Sequence, residues 1–297
     1  MMDNQKTAPL LELRRVEKRF GEHVVLAGLD LIVERGETVV VIGGSGSGKS
    51  TLARLLVGLD EASGGQILVD GDDVAKMGER ERARTRARFA MVFQKYALLD
   101  SLSVYENVAF PLRERGVITE PEIRRRVMAG LESLGVADAA WKLPGELSGG
   151  MAKRVGIARA MIMDPEILVY DEPTSGLDPV TSRIVEDLIE EVRDRLFVTS
   201  VVITHDMATA FRIADRVVLL HRGRIAVDGP PETAFSSDVS AIRSFATSSG
   251  VDPGRLASRA HRKSPATIRA LWAERAAADR RAEPAFSELV DPFFALF

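Results

Sequence analysis

The run ETVVVIGGSGSGKSTLARLL, Glu37 to Leu56, leaves this chain few ways to fold. An apolar β-type stretch passes directly into a loop of glycines and serines and then into a helical pattern. The loop fits the spacing G-x-x-x-x-G-K-[ST] from Gly43 through Gly48, Lys49 and Ser50. Strand, loop and helix in that order make a cradle for phosphate groups. Gly43, Gly44, Ser45, Gly46, Ser47 and Gly48 let successive backbone N–H groups curl around an anion, and the helix start adds positive potential. Lys49 neutralises the outer phosphates, Ser50 offers a hydroxyl to Mg²⁺, and Thr51 completes the nucleotide-binding set. The alternative, a flexible Gly/Ser turn, fits poorly with Lys-Ser-Thr opening a helix.

The rest of the chain supplies a matching frame. LELRRVEKRF and LDLIVERGETVVVIG read as β-rich, and compact apolar runs ending in polar residues recur at RFAMVFQ, EILVYDEP and TSVVITHD, with helical stretches between them. That alternation predicts a parallel sheet covered by helices, with ligands at the carboxyl ends of its strands. Between Gln94 and Ser148 helical patterns take over. In TEPEIRRRVMAGLESLG, Ile123, Val127, Leu131 and Leu134 share one face. With 297 residues, 45% of them hydrophobic, the chain can bury a sizeable core. No apolar run approaches the roughly 18 residues that span a bilayer, and MMDNQKTAPL lacks a signal-peptide core. The net charge of -3, with both signs interleaved, gives neither a nucleic-acid stripe nor a lipid-binding polybasic face. The absence of cysteine fits a reducing compartment, so the sequence reads as cytoplasmic, with no nucleic acid as partner.

Two further segments bear on chemistry. EILVYDEP delivers Asp171 and Glu172 at the polar end of an apolar strand, Asp171 to hold Mg²⁺ directly or through water and Glu172 to polarise the attacking water. In ELSGGMAKR, Ser148 caps a helix while the N–H groups of Gly149 and Gly150 leave a positive end unobstructed. Taken alone this is also an ordinary helix start. The first loop already wraps one nucleotide's phosphates, which leaves the outer face of the γ-phosphate for a donor from elsewhere. A second copy of the chain, related by a two-fold axis, can supply it.

At this point the sequence resembles the ATP-binding cassette superfamily, in motif order from about Leu11 to Phe235. The resemblance implies an α/β P-loop NTPase fold with a parallel core sheet, an antiparallel β subdomain and an inserted helical subdomain. The cassette is expected at 8–240 with its helical subdomain near 95–159, followed by a C-terminal extension at 241–297. It also implies roles. Phe20 stands where an aromatic stacks on adenine, and Gln94 joins the nucleotide and Mg²⁺ site to the transmembrane partner. LSGG is the signature, Asp178 in SGLD belongs to a dimer-contact loop, and His205 in ITHD is the switch histidine on the γ-phosphate. Without that resemblance Phe20 reads as readily as a core aromatic, Gln94 as a polar strand end, Asp178 as an N-cap before Pro179, and His205 as a structural histidine.

One cassette and no membrane segment imply a homodimer docked on a separate permease, peripheral to the cytoplasmic face of the inner membrane. Met151 replaces the usual glutamine after the signature. Together with AKR and the stretch FQKYALLDSLSVYENVAFPLRE, Phe93 to Glu114, it resembles the ATPase subunits of Mla/Mce lipid-trafficking transporters. That resemblance implies an MlaE-type permease, an MCE-domain lipid-binding protein, a small STAS-domain protein and a phospholipid cargo. The alternatives are a polar-solute importer or a non-transport cassette. In the tail, Phe286, Phe293, Phe294 and Phe297 are expected to dock on a neighbouring cassette or accessory subunit.

Overall fold

A computed structural model describes residues 8–94, 97–116, 118–196, 198–236 and 240–248. The aromatic tail residues Phe286, Phe293, Phe294 and Phe297 lie outside the described residues. In chain order the strands are β1 (Leu11–Phe20), β2 (His23–Val33), β3 (Thr38–Ile42), β4 (Gly64–Val69), β5 (Asp72–Asp73), β6 (Phe89–Val92), β7 (Ile167–Asp171), β8 (Thr199–Thr204), β9 (Arg216–His221) and β10 (Arg224–Gly229). The helices are α1 (Lys49–Leu56), α2 (Glu79–Arg86), α3 (Val104–Arg115), α4 (Glu120–Ser133), α5 (Gly149–Met161), α6 (Pro179–Leu196), α7 (Met207–Ile213), α8 (Pro231–Ser236) and α9 (Ser240–Ser248). These elements fall into two compact units, one built from the chain up to Arg86 and again from His205, the other from Ala87 to Thr204.

In the first unit β1 is the centre of an antiparallel sheet. It pairs with β2, Leu11 opposite Val33, and on its other edge with β4, Leu11 opposite Val69. The alternation of buried Leu11, Leu13 and Val16 with exposed residues breaks at Arg15, where φ is +48° and both registers slip. The bulge is held by the Arg15 N–H donating to Asp30 Oδ1 at 2.8 Å. It also presses on Gly65, at which a Cβ would lie 2.3 Å from the Arg15 carbonyl oxygen, so only glycine fits there. The same unit contains β3, buried along its whole length, which pairs in parallel with β9, while β10 folds back antiparallel on β9. A strand buried on both faces reads as an unbroken apolar run, which is why TVVVI shows no alternation.

The second unit carries a parallel set, β6 beside β7 beside β8, with Phe89 opposite Ile167 and Ile167 opposite Thr199. Three helices, α3, α4 and α5, pack in the same unit. α3 begins with a reciprocal cap: Ser103 Oγ accepts from Glu106 N–H, and Glu106 Oε2 accepts from Ser103 N–H at 2.8 Å. Asn107, fully buried, accepts from Leu99 N–H and donates to the carbonyls of Leu99, Leu102 and Ser103, latching the preceding loop to the helix. On α4 the expected face is the buried one. Ile123, Val127 and Leu131 are at most 2% exposed, and Leu134, just past the helix end, is buried with them. Among the described residues no helix is long and apolar enough to cross a membrane.

Candidate active site

The glycine-rich loop sits between β3 and α1, and its conformation follows from its sequence. Gly46 and Gly48 take φ of +75° and +106°, values that side-chain-bearing residues avoid, and a Cβ on Gly48 would lie 2.6 Å from Leu26 Cδ2. Gly44, Ser45 and Gly46 form an exposed tip, and a Cβ on Gly44 or Gly46 would meet nothing within 4 Å, so the rim is open to a ligand. Below the tip Lys49 is 9% exposed. Its Nζ donates to the carbonyls of Gly43 at 2.7 Å and Gly44 at 3.0 Å, which arches the loop over the ammonium. Ser47 Oγ is buried with no hydrogen-bond partner in the structure, Ser50 is exposed at the first turn of α1, and Thr51 is buried behind it. An arch of amides, an ammonium beneath it, a buried hydroxyl without a partner and an exposed hydroxyl are the donor set that a nucleotide phosphate chain with Mg²⁺ requires. The residues present fit that group.

Phe20 ends β1 in the same unit with its ring 48% exposed, which a core aromatic would not be. Lys18 Nζ lies 4.8 Å from the ring centroid while donating to the Glu61 carbonyl at 2.8 Å, so it is tethered against the ring. His205 is exposed and follows β8 directly in the chain. Asp206 then caps α7 by accepting from the Ala208 N–H.

In the second unit β7 ends at Asp171, and Glu172 turns the chain sharply with φ +52°. A left-handed conformation in a residue with a Cβ costs about 1–3 kcal/mol and persists where the surroundings force it. Here the Glu172 N–H donates to the Ile203 carbonyl at 2.8 Å, its carbonyl accepts from Ser175 N–H at 3.2 Å, and Thr204 Oγ1 donates to its Oε2 at 3.3 Å. Glu172 is 9% exposed, with its carboxylate at the end of β8 beside Thr204. Gln94, just past β6, donates from Nε2 to Ser175 Oγ at 3.4 Å.

Ser148 caps α5 as the sequence predicts, its Oγ accepting from the Met151 N–H at 3.3 Å. Gly150 has a packing reason of its own, since a Cβ there would lie 2.7 Å from Thr181 Cγ2 on α6. Asp178 is the N-cap of α6. It accepts from the Val180 and Thr181 amides at 2.9 and 3.0 Å and from the Thr181 hydroxyl, and these bonds hold its carboxyl below the ordinary aspartate range.

One residue that sequence reasoning passed over joins this unit's pieces. Lys153, on α5, is fully buried, and its Nζ donates to the Gln94 carbonyl at 2.9 Å and the Glu172 carbonyl at 3.2 Å. Burial pulls its ammonium down to about 8, against the opposing influence of the Glu172 and Asp171 carboxylates. A signal was present: positions 153, 156, 157 and 160 form one stripe at helical spacing, and all four are buried, so a lysine there stands on an apolar face. The structure thus brings Gln94, Glu172 and Lys153 of α5 together within one unit, and gathers the residues of the phosphate loop in the other.

A family model described as ABC transporter matches residues 26–175. The methionine import ATP-binding protein MetN of Caulobacter vibrioides is 45% identical over 215 residues, covering 72% of this chain and 64% of that protein. The chain belongs to the ABC transporter family. A second relative of this family member, the probable ribonucleotide transport ATP-binding protein mkl of Mycobacterium leprae, is 37% identical over 243 residues, 82% of this chain and 70% of that protein. Among solved structures, cbiO1 from Clostridium perfringens, part of the ABC transporter complex cbiONQ, matches with a TM-score of 0.71 at 30% identity, covering 81% of this ABC chain and 95% of that one. A dimeric ATP-binding cassette in a post-hydrolysis state, bound to ADP and Pi, matches with a TM-score of 0.67 at 31% identity over 74% of this chain and 98% of that one.

Proposed function

We propose that this chain is the ATP-hydrolysing subunit of an ABC transporter, acting as a pair of copies against a separate permease at the cytoplasmic face of a membrane. The observation that carries this reading is the Glu172 turn, a carboxylate forced into a left-handed backbone directly after Asp171, in a chain that also builds the Gly43 to Thr51 cradle. Bound ATP with Mg²⁺ supplies a labile terminal phosphoryl group and the charge that makes it accept a nucleophile. Lys49 and the loop amides would hold its phosphates, Ser50, Asp171 and Gln94 would hold the metal, and Phe20 would carry the adenine. Glu172 takes a proton from the attacking water, and His205 steadies the departing phosphate. Ser148, Gly149 and Gly150 of one copy close over the nucleotide on the other, with Asp178 at the contact. On this reading residues 8–240 are the cassette, with its helical insert near 95–159, and 241–297 the extension.

The relatives' names speak for a cargo that is a small polar solute, since one is a methionine importer and another a probable ribonucleotide transporter. They support that alternative better than the phospholipid reading. One observation keeps the second reading in play. Met151, the third residue of α5, carries a thioether in place of the glutamine usual after the signature, as in the Mla/Mce ATPases that the sequence resembles. That reading brings the MlaE-type permease, the MCE-domain protein and the STAS-domain protein with it.

Co-purification of the tagged chain with its permease, followed by mass spectrometry of the small molecules and lipids retained, separates the two. Import of a polar solute predicts a complex free of enriched phospholipid whose ATPase rate rises with a solute-loaded binding protein. Enriched phospholipid with an MCE-domain protein overturns it in favour of the second reading.

A further inference from the structure

Lys153 has no part in holding a nucleotide, yet it is the best-buried charged side chain among the described residues, at 0% exposure. Burying a charge is unfavourable unless hydrogen bonds replace its water. Two of its three donors go to main-chain carbonyls, those of Gln94 and Glu172. Both acceptors belong to residues given roles in the proposed chemistry, and both sit just past strand ends, after β6 and after β7. The lysine itself stands five residues beyond Ser148 on α5, about 7.5 Å along a rigid helix axis.

The Glu172 carbonyl is where this matters most. A left-handed glutamate stays so only while its surroundings over-determine it. Its N–H is gripped by Ile203 and its carbonyl by Ser175 N–H and by Lys153, each of these last two at 3.2 Å. Turning that peptide plane swings the carboxylate, since the carbonyl and the Cα–Cβ bond share one residue. Any shift of α5 along or about its axis therefore pulls on the plane that aims the general base, and on Gln94 through the same ammonium.

We infer that Lys153 is a positioning residue that couples the Ser148 end of α5 to the aim of the Glu172 carboxylate and to Gln94. This makes hydrolysis depend on that helix end being docked on a nucleotide, and it rests on the roles given above to Ser148 and Glu172. A shorter side chain cannot span both carbonyls. An apolar one leaves two buried acceptors without this donor.

The test uses the full chain. Lys153→Met keeps the length of the stem and removes charge and donors, and Lys153→Arg restores them in a different shape. The expected result is a kcat lower by about 10²-fold, the size of effect that a misplaced catalytic group produces, with KM and the stoichiometry and affinity for a fluorescent ATP analogue unchanged. Lys153→Arg recovers part of the rate. In a Glu172→Gln background, single-turnover hydrolysis is slowed far less by Lys153→Met, because the route through the base is already lost and only the one through Gln94 remains.

Equal losses in both backgrounds, or a fall in bound nucleotide matching the fall in rate, overturn the inference, since a mere core strut produces those results. If Lys153→Met yields no folded chain, Lys153→Gln, with a donor of shorter reach, is read the same way. Glu172→Gln alone with near-normal turnover sinks the proposed function. A slow Glu172→Gln with additive Lys153 effects sinks only the coupling.

Discussion

Replacing Glu172 by glutamine should slow ATP hydrolysis by about 10² to 10⁴, the share of a rate that a positioned general base contributes. The substitution is close to isosteric, so the left-handed turn at φ +52°, gripped through main-chain atoms of Ile203 and Ser175, should survive it. Glutamine can still occupy the place of Oε2 beside the Thr204 hydroxyl, but it has no lone pair basic enough to take the proton from water. Nucleotide affinity should stay as it is, because no atom of the Gly43 to Thr51 loop changes. Multiple-turnover assays against a titration with a labelled analogue check both halves. Normal turnover would remove Glu172 from the reaction.

Lys49→Ala should act on affinity instead. The ammonium does two things at once: it arches the loop by donating to the Gly43 and Gly44 carbonyls, and it places a positive charge beneath the exposed tip. A hydrogen bond to a charged group is worth about 1.5–3 kcal/mol, so its loss should weaken binding of the ATP analogue by about 10- to 10²-fold. The arch itself loses its central strut, which adds to the effect and leaves the carbonyls of Gly43 and Gly44 without this donor. Calorimetric titration of the variant reads this directly, and an unchanged dissociation constant would show that the amides alone hold the phosphates.

The parallel strands and the phosphate loop were readable in the sequence because both obey local rules. β7 and β8 are buried on both faces and so appear as continuous apolar runs, and two of the loop glycines, Gly46 and Gly48, stand where the backbone turns left-handed. Ser148 and Asp178 were readable as caps for the same reason, since a cap is a relation between neighbours in the chain. What escaped depends on distant partners. The bulge at Arg15 breaks the period of β1 and exists because Asp30, fifteen residues away, accepts its N–H. The hairpin of β9 and β10 turns through Arg222 and Gly223, both at positive φ as a two-residue hairpin loop requires, but with an arginine where asparagine or aspartate is the usual signal. Lys153 escaped because a lysine is normally read as a solvated face, and its two acceptors come from residues 59 and 19 positions away.

Neither copy of this chain, on the present account, encloses a complete catalytic pocket alone; the Ser148 end of α5 must close on the nucleotide that a second copy already holds. The direct measurement is the mass in solution, by light scattering, of the Glu172→Gln chain with ATP, with and without Ser148→Arg. The account predicts an ATP-dependent dimer with Ser148 in place, and a monomer that still binds the labelled analogue once arginine blocks the helix start. An ATP-driven dimer of equal strength in the Ser148→Arg chain contradicts it.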